Sequence, residues 1–233
     1  MSARAVAVPG RHRHARGLLA GVLALALLVT VAPAPAGAEE VSLAAFYNNV
    51  GITQDPGSGA NFDGVGWSYS SIALLAEGVR GGENVAAQGM SFTWPETASG
   101  EPDNMAMNGQ FVPLLPPAGA TTIGLLGAAT NGPVTTAVTL HYNVVDADGE
   151  LQQVAVTEPV TFSDWTLNAG SASPHPSNTI AIEMLFRWPI NQSTSQDEPH
   201  VFVTTIPIDP TMTLDSIEFP VESRMHLFGM AVQ

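Results

Sequence analysis

Trp67 and Tyr69 stand two residues apart, shortly after Asp63 and beside Gly64 and Gly66. Residues two apart in an extended segment share a face, so the two rings would form a platform. A sugar lays its apolar face on such a ring while neighbouring polar groups take its hydroxyls. Trp94 offers a third large ring, and Asp103 with Asn104 adds an acceptor beside an amide. Asp63, Trp67, Tyr69, Trp94, Asp103 and Asn104 are therefore the candidate ligand-binding residues, and a neutral glycan is the ligand they fit. The competing role for each tryptophan is core packing, because Trp is highly buried on average. Phe46, Phe92, Phe162, Phe202 and Phe228 lie in strand-like runs and read as core.

Calcium takes carboxylate and amide oxygens, and Asn61, Asp63 and Asp103 are of that type, which makes them candidate ligands for a structural calcium. Their spacing does not match an EF-hand loop, and the alternative is that the two aspartates close Asx turns and satisfy loop amides. No other cofactor is expected. The chain has no cysteine and no H-E-x-x-H pair, so thiolate sites, disulfides and the commonest zinc helix are excluded. His226 sits in an apolar run and reads as a hydrogen-bonded core histidine.

Catalysis finds less support. A glycosidase sets two carboxylates roughly 5–5.5 or 6.5–9.5 Å apart across the bond it cuts. Glu96, Glu101 and Asp103 cluster on one loop that reads as solvated, and no E-x-D-x-x-E strand motif is present. Gly66-Trp67-Ser68-Tyr69-Ser70 falls one residue short of the G-x-S-x-G nucleophile elbow and reads as a turn rich in small residues. The expected protein is not an enzyme.

The elements that would position these residues are short strands. Twenty-two glycines and 18 prolines punctuate the chain, with β-branched and aromatic runs between them, the pattern of an all-β sandwich or barrel. Expected strands include 43–50, 91–94, 121–126, 135–145, 151–157, 179–188, 200–208 and 225–232. Asp148-Gly149 marks a hairpin turn between two of them. Residues 70–77 fit a helical turn or a strand equally well.

Residues 1–38 read as a secretory signal peptide: four arginines, an apolar run from Gly17 to Val31, then small residues ending at Ala38. The expected organisation is this signal followed by one domain over 39–233, exported to the extracellular medium with no membrane attachment after cleavage. All 21 acidic residues lie in that domain. Of the seven basic residues only Arg80, Arg187 and Arg224 do, so the domain's formal charge is 3 − 21 = −18. A nucleic acid needs a Lys/Arg footprint, so it is excluded as a partner; a neutral polysaccharide or a protein partner is not.

Several segments occur together in a recognisable order: Phe46-Tyr47-Asn48-Asn49-Val50-Gly51-Ile52, Asn61-Phe62-Asp63-Gly64-Val65-Gly66-Trp67-Ser68-Tyr69-Ser70, Met90-Ser91-Phe92-Thr93-Trp94-Pro95, Gly100-Glu101-Pro102-Asp103-Asn104, Phe162-Ser163-Asp164-Trp165, and Met225-His226-Leu227-Phe228. The series resembles the β-sandwich accessory domain appended to many secreted actinobacterial glycoside hydrolases. That resemblance implies a two-sheet antiparallel sandwich of jelly-roll type and an ancillary, carbohydrate-binding-like role without catalysis. Two other expectations stay open: a structural or protein-interaction sandwich, and a glycan-active hydrolase or lyase with an unrecognised site.

Overall fold

The computed structural model describes residues 39–54, 59–189 and 197–233. The expected signal peptide, residues 1–38, lies outside them. The first strands are β1 (Glu39–Val41), β2 (Ile52–Thr53) and β3 (Trp67–Ser70), followed by a short helix, α1 (Ser71–Ala76). Next come β4 (Asn84–Ala87), β5 (Met90–Thr93), β6 (Met105–Asn108), β7 (Phe111–Pro113), β8 (Thr122–Ala129), β9 (Val134–Val145) and β10 (Leu151–Phe162). The chain closes with β11 (Thr179–Glu183), β12 (Arg187–Pro189), β13 (His200–Pro207), β14 (Thr213–Glu218) and β15 (Val221–Val232).

The fold is an all-β sandwich. One sheet runs β1-β15-β8-β13-β11, with β6 added on β15; the other runs β10-β9-β14-β7. Both are antiparallel. Their apolar faces meet in one core. Along β9, Val138, Leu140 and Tyr142 are buried while the intervening Thr139, His141 and Asn143 are partly exposed, the period-2 alternation of a strand with one wet face. β8 instead is buried on both faces beyond its first residue. Its second face is covered by β5: a Cβ added at Gly124 would stand 2.5 Å from the Met90 sulfur, so only glycine permits that approach. The small sheets β12-β3-β2 and β4-β5 complete the molecule.

Three expectations need correction. Residues 43–50 do not form a strand. Ala44–Phe46 make a 3₁₀ turn, and the pairing lies earlier, with Glu39 opposite Val232. The run 179–188 breaks after Glu183, so β11 joins the large sheet through β13 and β12 joins β3. The small-residue tract 66–70 is strand β3 leading into α1, where the Ser70 hydroxyl accepts from the Ala73 N–H as an N-cap. Ser68 donates its hydroxyl to the Trp188 carbonyl.

Candidate functional site

The aromatic residues do not form an exposed platform. Tyr69 is wholly buried and donates its hydroxyl to the His200 carbonyl at 2.7 Å. Its ring packs against Phe62, Trp165 and Phe228 at centroid distances of 4.6, 4.9 and 5.5 Å. Trp94 is buried and stacks on Phe228 at 4.7 Å. Trp67 is half-buried, and the Arg187 guanidinium lies 4.0 Å over its ring. The same guanidinium is 5.0 Å from Trp165 and pairs with Asp197 at 2.6 Å. The apolar area of three large rings is worth several kcal/mol inside a core without disulfides, and burial is where the fold places it.

Asp103 and Asn104 lie together in a buried hydrogen-bond network, apart from the loop that holds Asp63. Asp103 is 3 % exposed. Its Oδ1 accepts from Gly51 N–H and from Asn104 Nδ2, and its Oδ2 from Ile52 N–H at 2.9 Å. Asn104 is fully buried; its Nδ2 also donates to the carbonyl and to Oδ1 of Asn49. Three acceptors around that nitrogen fix the amide's orientation. Asn104 Oδ1 therefore accepts from His226 Nδ1, 2.7 Å away. Burial raises the Asp103 carboxyl to about 6 despite its hydrogen bonds. Burial also lowers the His226 imidazole to about 4, against the opposing effect of the Ser223 backbone carbonyl, which favours the protonated ring. At neutral pH the result is a buried chain of one carboxylate, one amide and one neutral imidazole.

Asn61 and Asp63 hold the adjoining loop. Asn61 Oδ1 accepts from Gly66 N–H, and Asp63 Oδ1 accepts from Val65 N–H and Trp67 N–H. These are the loop-amide roles weighed above against calcium. Among the described residues, no three His, Cys, Asp or Glu side chains converge. Asn49 donates to the Asn61 carbonyl, and Asn131 donates to the Asp63 carbonyl.

Two cavities flank this network. A bowl of about 490 Å³ is lined by Asn49, Asn61, Asp63, Asn131, Arg224 and His226 over a floor that includes Phe62. A groove of about 550 Å³ runs between α1 and residues 95–99, with Asp103 and Trp94 among its walls. The chain Asp103–Asn104–His226 links a residue of the groove to a residue of the bowl.

Sequence reasoning missed Asn49, Asn131 and the second half of His226's role. Asn131-Gly132 is a turn dipeptide with both residues at positive φ, 57° and 102°, and that signal was open to reading. The link from His226 to Asn104 spans 122 positions and leaves no local trace.

Fold and site together define a β-sandwich domain with polar cavities at the rim of its core. A family model described as the AziU2-like beta-sandwich domain matches residues 37–233, and the chain belongs to that family. No curated protein matches the chain.

Proposed function

We propose that this domain is an exported, non-catalytic accessory module that binds a neutral glycan in the bowl. The observation that carries the reading is the chemistry of the wall. Amides from Asn49, Asn61 and Asn131, the neutral His226 ring, the Asp63 carboxylate, and Arg224, itself paired with Glu222, surround a cavity of about 490 Å³. Small-molecule sites have such volumes and use a few placed polar groups. Among the described residues, Asn61 Nδ2 and Asn131 Oδ1 make no hydrogen bond to protein. A polyhydroxylated ligand offers partners to both a donor and an acceptor. Binding should be weak, since few contacts must offset the loss of ligand freedom.

The test is retention on a glycan array and on insoluble polysaccharides, with and without calcium. Asn61→Asp is the informative variant. It keeps an oxygen for Gly66 N–H and removes the amide donor. Retention on one glycan class, weakened about tenfold in Asn61→Asp, is the expected result. A folded protein retained on no glycan contradicts the proposal and moves the role to partner binding.

A further inference from the structure

The groove beside α1 is a second site with different chemistry from the bowl. Its walls present Ile72 and Leu75, 47 % and 49 % exposed on a helix of six residues. Half-buried Val79 continues the apolar surface, backed by Leu74 and Trp94, which are 2 % and 3 % exposed. Exposed apolar groups scattered singly need no explanation, but grouped in a concavity they mark a ligand surface. At the groove stands Asp103, a carboxylate 3 % exposed. Buried charges are ordinarily paired, and among the described residues no cation forms an ion pair with Asp103. Among the described residues its Oδ2 accepts from Ile52 N–H, and a carboxylate oxygen has room for a second donor.

We propose that this groove binds an organic ammonium ligand, its apolar body against Ile72, Leu75 and Val79 and its ammonium group on Asp103. The groove's other charges are Arg80 and Glu96. Arg80 is drawn toward Glu83, 3.7 Å away at the surface, which leaves the two carboxylates Glu96 and Asp103 to favour a cation. The volume suits a molecule of drug size or smaller. The groove shares no lining residue with the bowl, so amine binding and glycan retention are read by separate assays.

Calorimetric titration with phenylbutylamine, phenylbutanol and phenylbutyrate separates the apolar from the ionic contribution. The amine should bind about tenfold more tightly than the alcohol, and the acid more weakly than either. Asp103→Asn should abolish the amine's advantage and leave the alcohol's affinity unchanged. Should that variant fail to fold, Leu75→Arg, on the exposed side of α1, places a cation in the groove and should likewise erase the advantage. Equal affinity for the three probes, no binding of the amine, or an amine preference that survives in a folded variant overturns the proposal.

Discussion

Asp103 and His226 are joined through one amide, and their protonation pulls stability in opposite directions. The unfolded His226 takes a proton near 6.5, while the folded ring resists it down to about 4. Stability from this residue therefore falls as pH drops across that window. The folded Asp103 takes its proton near 6, whereas the unfolded carboxyl waits until 3.8. Stability from that residue rises as pH drops across nearly the same window. Each effect is worth ~3 kcal/mol at its limit, so the two largely cancel in the parent protein. Asp103→Asn should unmask the histidine: urea midpoints should drop more steeply than the parent's between pH 7 and 4.5. His226→Gln should do the reverse and gain relative stability on acidification. Parallel curves for all three proteins would show that the pair does not titrate as described. The sequence identified Asp103 and Asn104 as polar groups worth watching, and assigned His226 to the core. It could not show that they touch, because Asp103 and Asn104 just precede β6 and meet His226 through the pairing of β15 with β6.

At the scale of elements, local signals were legible and long-range ones were not. The Asp148-Gly149 turn placed the β9–β10 hairpin, where Val145 pairs with Leu151, because turn chemistry is local. The fate of residues 67–70 was not legible. Trp67 and Tyr69 alternate as in any strand, but whether their faces meet solvent depends on Arg187 and Phe228, more than a hundred positions away. The turn after Trp165 is a second case. Leu167, Asn168, Ala169 and Gly170 all have positive φ, from 50° to 76°, a left-handed turn that costs roughly 1 kcal/mol for each residue bearing a Cβ. Asp164 holds it: Oδ1 accepts from Thr166 N–H, the Thr166 hydroxyl and Asn168 N–H, and Oδ2 from Gly132 N–H. Ala169 is exposed, so Ala169→Gly removes strain without losing packing. Chemical denaturation should find that variant more stable by about 0.5–1 kcal/mol. A destabilised Ala169→Gly would mean that the turn carries no such strain.

At the scale of the molecule, the sandwich was legible from punctuation and alternation, and the family match confirms it over residues 37–233. The net charge of −18 for residues 39–233, with no lysine, disfavours polyanionic ligands and leaves neutral and cationic ones. The two cavities differ in the same sense: amides and a neutral imidazole line the bowl, apolar side chains and the carboxylates of Glu96 and Asp103 the groove. The position of the bowl was only half legible, since Asn61 and Asp63 announce a loop while Asn131 arrives from the turn after β8 and His226 from β15. Glycan binding there is the central claim, and amide-resolved NMR titration with a retained oligosaccharide tests it most directly. A sugar seated in the bowl confines the shifts to residues 61–65, 130–131 and 223–226, with the Asn61 and Asn131 side-chain amides among the largest. Shifts clustered on α1 and residues 95–99, or none at saturating sugar, would contradict it.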